Sequence, residues 1–306
     1  MMMEHIWIDC DPGIDDSVML ALAAAHRDVL CIHGISTVAG NQGSDLVTDN
    51  ALRVARLAGM HDVPVVRGAR EPLLRDAVTA AHVHGQNGLG DCVLPEADRQ
   101  EEPRNAILMM RDAILSLPEG ETMTLVPTGP MTNIALLLKV FPEVRRRIGR
   151  IVFMGGSGGA GNTTPYAEFN IFADPDAAQI MFAARDIPMV MCGLDVTRKC
   201  GLLKTQIDAI TGFGSPVQQA LATMMQFYAH SKSYAKRDCV FIHDACTIMY
   251  LVHPELFAGR QVTVSVVRQG ENMGQTLCKD GGNVLLLDQV NVDAFRQLLL
   301  SAITRA

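Results

Sequence analysis

Apolar and polar positions along this chain follow two rhythms, and the switches between them lay out a repeating strand–helix order. Ile6-Trp7-Ile8 predicts a buried strand and residues 18–25, all apolar, predict a helix, with Pro12 and Gly13 marking the turn between them. A strand over 29–37, a helix over 41–58 and a short strand over 63–66 follow. Residues 67–99 read as a long loop, and loops of that length usually carry function or stay disordered. Helices over 106–117 and 133–140 alternate with strands over 123–126 and 151–154, and 174–184 begins Asp-Pro-Asp, a helix N-terminal signal. Residues 188–194 read as the last clear parallel strand.

After Asp195 the pattern changes. Helices are expected over 205–210, 216–233, 244–251 and 293–303, with 238–241 a connection. Strands over 261–268, 274–278 and 283–287 are joined by tight turns, one of them Gly281-Gly282. The order predicts an α/β fold: a mainly parallel open sheet, Rossmann-like, with helices on both faces and a small antiparallel C-terminal addition. No internal repeat or low-complexity linker divides it, so residues 1–306 are expected to form a single domain.

Asp9-Cys10-Asp11-Pro12-Gly13-Ile14-Asp15-Asp16 places four carboxylates at one strand-to-helix corner. Like charges this close take up protons unless a cation neutralises them, and carboxylate oxygens suit Ca²⁺ or Mg²⁺. A helix N-terminus that favours acidic residues would account for one or two of the four. In a parallel sheet, ligands gather at the carboxyl ends of the strands. Asp11, Asp15 and Asp16 follow the first strand, Asn41 the second, Thr128 the 123–126 strand, and Asn162, Glu168 and Asn170 the 151–154 strand. Carboxylates and amides around an oxygen-liganded cation fit a polyhydroxylated substrate such as a sugar. Phosphate fits poorly, because positive groups are missing from this set. The glycine run 155–161 lacks the Lys-Ser/Thr of a phosphate-binding loop and reads as backbone lying close to a ligand. His82 and His84 sit among glycines in the long loop, where a functional role is favoured, although His82 taken alone reads as a loop histidine rather than an active-site one.

Composition narrows the partners. The net charge is −7, and the one basic triplet, Arg145-Arg146-Arg147, reads as a solvated helix end rather than a nucleic-acid patch. The apolar run of residues 18–25 is too short to span a membrane, and Met1-Met2-Met3-Glu4 is not the start of a signal peptide. Eight cysteines occur with no CxxC pair, so free thiols and a cytoplasmic location are expected. The absence of clustered Cys and His argues against zinc. Tyr228, His230 and Tyr234 share roughly one helical face and are either core or pocket lining. Trp7, inside the first strand, is poorly placed to stack on a ligand.

The corner motif resembles the N-terminal motif of the inosine-uridine nucleoside hydrolases. Thr37-Val38-Ala39-Gly40-Asn41, residues 126–133, Met154-Gly155-Gly156, Ala167-Glu168-Phe169-Asn170 and His243-Asp244 resemble further motifs of that family in the same order. The likeness spans nearly the whole chain and is greatest to broad-specificity bacterial ribonucleoside hydrolases. Ser17 departs from it, standing where the family usually has alanine. The resemblance implies Ca²⁺-dependent cleavage of the N-glycosidic bond of purine and pyrimidine ribonucleosides, in a homotetramer or homodimer. It implies that Asp11, Asp16, the backbone carbonyl of Thr128 and Asp244 hold Ca²⁺, and that Asp11 takes the proton of the attacking water while Asn41 orients it. Asp15, Asn162, Glu168 and Asn170 would hold the ribose hydroxyls, with Met154 and Phe169 beside them. His243 would be the acid for the leaving base, with His84 a second candidate. Asp9 would support the metal ligands from behind. The competing readings are a nucleoside-binding protein without turnover, a phosphatase-type hydrolase built on Asp9-x-Asp11, and a phosphorylase. The phosphatase needs a Lys or Arg partner for phosphate; the phosphorylase would require free phosphate for turnover.

Overall fold

The computed structural model describes residues 3–212, 214–232 and 234–305. The Met1-Met2 start and Ser233, the expected end of one helix, lie outside the described residues. Among the described residues there are eleven strands: β1 (Glu4–Cys10), β2 (Leu30–Thr37), β3 (Val65–Arg67), β4 (Met123–Pro127), β5 (Ile148–Met154), β6 (Met189–Cys192), β7 (Gly201–Leu203), β8 (Cys239–Phe241), β9 (Phe257–Val266), β10 (Thr276–Asp280) and β11 (Val284–Val290). Nine form one sheet in the order β10-β9-β11-β6-β5-β4-β1-β2-β3, and β7 and β8 form a separate antiparallel pair.

The period of two along β1 explains its central place. Ile6, Ile8 and Cys10 enter one apolar cluster, while Trp7 enters the cluster on the opposite face. Helices Ile14–Ala25, Pro216–His230, Ala245–Val252 and Val292–Arg305 contribute to the first cluster. Helices Ala106–Ser116, Thr132–Val140 and Pro175–Phe182 contribute to the second. The Trp7 indole N–H donates to Ser36 Oγ at 2.9 Å, so its one polar atom is satisfied in the core. Gly34 stands opposite; a Cβ there would lie 2.6 Å from the indole ring. The β1–β2 register shifts at this point, from Ile6 opposite Ile32 to Trp7 opposite Gly34, leaving His33 as the extra residue of a bulge.

The mainly parallel sheet with covered faces agrees with the pattern. The C-terminal antiparallel strands are present, but they extend the main sheet rather than standing apart. β11 runs parallel to β6 and antiparallel to β9, so 188–194 does not hold the last parallel strand. The 238–241 segment is a strand, not a connection; three residues are too few for a periodic signal. The first helix begins at Ile14, four residues before its apolar run. Asp16 makes this possible, because its Oδ2 accepts the Gly13 N–H at 3.0 Å at the helix start. The second helix begins at Ser44 rather than at 41, which leaves Asn41 outside it. The long loop contains one turn of helix, Ala81–His84.

Trp7 is the largest of the fully buried side chains among the described residues. Trp7→Ala is expected to cost about 3–5 kcal/mol, as large aromatic truncations in cores do. Urea unfolding would show it as a lower midpoint at unchanged slope; a shift below about 1 kcal/mol would contradict this account of the core.

Candidate active site

The polar residues expected at the sheet edge do gather there. A cavity of about 540 Å³ opens over the carboxyl ends of the central strands and is lined by Asp15, Asn41, Thr128, Asn170 and Asp244, among others. Asp11 and Asp16 are fully buried behind this lining. Asp15, Asp16 and Asp244 offer carboxylate oxygens within 4.8 Å of one another. Asp11 stands beside them, connected through Asn41. The Asn41 backbone N–H donates to Asp11 Oδ2 at 2.7 Å, and its side-chain Nδ2 donates to the Asp11 carbonyl at 3.1 Å and to Asp16 Oδ2 at 3.2 Å. Thr128 Oγ1 donates to Asp16 Oδ1 at 2.9 Å, and the Thr128 carbonyl accepts from Asn170 Nδ2 at 2.7 Å. That carbonyl has a second lone pair for another partner.

Burial first, and mutual repulsion second, raise these carboxyls. Asp15 moves from 3.8 to about 7, and Asp11 and Asp244 go well above the usual range. Burial raises Asp16 as well. Among the described residues, no Lys or Arg forms an ion pair with any of the four. Asp11 Oδ1 is buried without a hydrogen-bond partner. Hard oxygen donors, surplus negative charge and an unpaired buried oxygen together fit a divalent cation. Behind the cluster, Asp9 accepts from Asn133 Nδ2 at 2.7 Å and from Ser36 Oγ, and burial lifts it to about 7.

The other lining residues come from outside the first strands. Glu168 caps the helix Phe169–Ala173; its Oε2 accepts backbone N–H groups of Gly156, Asn170 and Ile171, so most of its acceptor capacity is internal. Asn162 is exposed at the rim and accepts the Phe169 N–H at 3.0 Å. Asn170 Nδ2 also reaches the Met154 carbonyl at 3.2 Å. His84 is buried; its Nδ1 accepts the Ile14 N–H at 3.2 Å, which puts the neutral ring's proton on Nε2. Gly13 permits this approach, because a Cβ there would collide with the His84 ring. Tyr228 bridges the two groups, its hydroxyl 3.0 Å from His84 Nδ1 and 3.3 Å from Asp15 Oδ1. His243 Nδ1 meets Thr197 Oγ1 at 2.8 Å. Burial, then the nearby Arg198, lowers His243 to about 4, and burial, then His243, lowers His84 to about 3. Both rings are therefore neutral at pH 7.

A family model described as inosine-uridine preferring nucleoside hydrolase matches residues 6–297. A pyrimidine-specific ribonucleoside hydrolase RihA of Photobacterium profundum is 42% identical over 97% of this chain and 98% of its own length. The RihA of Shewanella baltica is also 42% identical, over 90% of this chain and 86% of that one. The chain belongs to the inosine-uridine preferring nucleoside hydrolase family. Among solved structures, a purine-preferring ribonucleoside hydrolase from Gardnerella vaginalis superposes with a TM-score of 0.92 at 29% identity, covering 98% of both chains. The protein is thus a nucleoside hydrolase, an N-glycosidase.

For this hydrolase the sequence left Tyr228 and Tyr234 open between core and lining, and missed Phe241, Arg198 and Arg237 of the cavity wall. Tyr234 lines it and stacks on Tyr228 with centroids 5.8 Å apart, but it lies beyond the helix that ends at His230. His230 itself is exposed and bonds to the Gln226 carbonyl. Phe241 lies edge-on to both Tyr234 and His243. Positive groups are not missing either: Arg198 and Arg237 line the cavity. Arg198 holds the carbonyls of Ala160 and Gly161, and Arg237 lies 5.2 Å over the Phe241 ring. An aromatic and basic cluster over 228–243 was the available signal. No helix among the described residues is long and apolar enough to cross a membrane.

The raised pKa of Asp15 fixes the sign of a pH effect. Between its ordinary 3.8 and about 7, the folded hydrolase holds a proton that the unfolded chain has released. Stability without a cation therefore falls as pH rises through this window. A saturating divalent cation removes that loss, so its gain in Tm should grow from pH 4 to pH 7. Melting curves in chelator and in excess cation check this; a gain that is flat or shrinks with pH would contradict the repulsion argument.

Proposed function

We propose that this enzyme hydrolyses the N-glycosidic bond of ribonucleosides with Ca²⁺ as cofactor, preferring uridine and cytidine and cleaving purine ribonucleosides more slowly. The supporting observation is the buried, cation-deficient carboxylate cluster at the floor of a cavity wide enough for a nucleoside. The curated relatives' pyrimidine specificity supports the base preference over the broader range first expected. Residues 1–306 act as a single domain in this reading, in the cytoplasm, where eight free thiols persist. Homo-oligomerisation is part of it, and Leu74 and Val93 supply exposed apolar surface.

Asp11, Asp16, Asp244 and the second lone pair of the Thr128 carbonyl would hold the ion. When bound, Ca²⁺ supplies positive charge that acidifies water and polarises hydroxyl groups. Asp11 would also accept the proton of the attacking water, while Asn41 fixes its Oδ2. Asp15 and the oxygens of Asn170, Glu168 and Asn162 receive the ribose hydroxyls, with Met154 and Phe169 against the sugar. Glycosidic cleavage builds positive charge on the ribose, and the surrounding carboxylates stabilise it. His243 donates a hydrogen bond to the departing base as a neutral imidazole, oriented by Thr197, with His84 and Tyr228 also lining the cavity.

Uridine, cytidine, inosine and adenosine in phosphate-free buffer should all release free ribose, the pyrimidines faster. No ribose from any of them would leave a binding protein, and turnover only with added phosphate would make it a phosphorylase. Asp16→Asn removes one charged ligand, so activity should fall and partly return in excess Ca²⁺. Full activity of dialysed wild-type enzyme in strong chelator would sink the metal assignment.

His243→Ala separates donation from packing. Uracil needs help in leaving, whereas 4-nitrophenolate does not. The variant should slow uridine by about 10²–10⁴-fold, the usual range for acid catalysis, and spare 4-nitrophenyl riboside. Equal losses on both substrates would transfer the role to His84 or to solvent.

A further inference from the structure

The opposite edge of the sheet carries a second cluster that the sequence keeps apart. His5 of β1 is paired in register with Cys31 of β2. His33 is the extra residue of the β2 bulge, two positions after Cys31. The bulge re-aims its side chain, and His33 Nε2 meets His5 Nδ1 at 2.8 Å. Ligand atoms of His5, Cys31 and His33 lie within 4.8 Å of one another, and all three residues are half-buried, within reach of solvent ions. The other ring nitrogen of His5, Nε2, lies 2.7 Å from Glu121 Oε2.

We propose that His5 Nδ1, His33 Nε2 and Cys31 Sγ bind a divalent ion of the Zn²⁺ class, with Glu121 orienting His5 from behind. Nitrogen and thiolate donors select borderline ions such as zinc over Ca²⁺, which takes oxygens. Zinc bonds of about 2.0–2.3 Å set tetrahedral ligand atoms roughly 3.3–3.8 Å apart, so small side-chain rotations close the set. The His5–Glu121 pair is the carboxylate–histidine arrangement that fixes ring tautomer and raises ligand basicity at zinc sites. The ion displaces the proton shared by the two imidazoles and the thiol proton of Cys31. It would fasten the bulge of β2 to β1. The site lies six residues back along β1 from Asp11, roughly 20 Å at the usual rise per residue, so the two metals do not compete.

Zn²⁺ titrated into Ca²⁺-saturated protein against a chromophoric chelator should report one zinc per chain. Cys31→Ser and His33→Ala should each abolish it, and Asp16→Asn should retain it. Glu121→Gln, which leaves all three ligands in place, should weaken affinity by about 10–100-fold at unchanged stoichiometry. Co²⁺ should give a thiolate charge-transfer band in the wild-type protein and none in Cys31→Ser, a readout a packing role would not move. Melting curves without metal check that each variant is folded. Unchanged zinc binding in folded Cys31→Ser and His33→Ala, loss in Asp16→Asn instead, or a Co²⁺ spectrum without the thiolate band would each overturn the proposal.

Discussion

Repulsion among buried carboxylates is the constraint on which the rest of this structure depends. Among the described residues Asp11, Asp15, Asp16 and Asp244 share a site without a basic ion-pair partner, and burial alone makes four ionised acids there untenable. Either protons or a cation must settle the charge. Each neighbouring polar group serves that settlement: Gly13, Asn41 and Thr128 all donate to Asp11 or Asp16. These donors hold the carboxylates in fixed directions, so a cation meets a preformed site rather than ordering one.

The parallel sheet makes this preorganisation possible. β1, flanked by β2 and β4, delivers Asp11, Asn41 and Thr128 to one level from three separate parts of the chain. Close approach then depends on residues without side chains. A Cβ on Gly40 would strike the Asp11 carboxylate. Asp9 and Asn133 tie the same strands together one layer down. A fully buried acid raised to about 7 is a costly tie, and its partners Ser36 and Asn133 are what make it tolerable.

The sequence shows the sugar end of this site far better than the base end. Asp11, Asp15 and Asp16 lie in one contiguous run after a strand, and Asn41, Thr128 and Asn170 each follow a strand whose apolar run is legible. Such residues are placed by topology alone. Phe241 and Arg237 belong to no readable element, since β8 has three residues, and Tyr234 is legible only as core or lining on a helical face that ends before it. Helix limits fail for a related reason. The start at Ile14 is set by the Asp16–Gly13 cap, not by apolar spacing, and Asn41 is drawn out of its helix by bonds to Asp11 and Asp16. Zinc seemed excluded because there is no CxxC pair, and Cys31 and His33, two residues apart, have their third partner, His5, on another strand. A bulge, which a linear pattern cannot show, brings His33 to His5.

The two ends of the cavity answer to different physics. Charge governs the floor, and a substitution there disturbs every acid through the shared field. The aromatic wall, from Tyr228 through Tyr234 and Phe241 to His243, is held by ring contacts 5.8–6.0 Å apart and leaves the acids untouched. Its shape can therefore change with less cost to the chemistry beneath. Tyr228 is the exception, because its hydroxyl joins Asp15 to His84 while its ring stacks on Tyr234. Burial and the negative field of Asp15 hold that phenol far above its ordinary pKa, so it stays protonated and donates to one partner at a time. Of its two neighbours Asp15 is the one that takes this proton, because His84 Nδ1 already accepts the Ile14 N–H. Through Tyr228 a change in the aromatic wall reaches an acid of the floor.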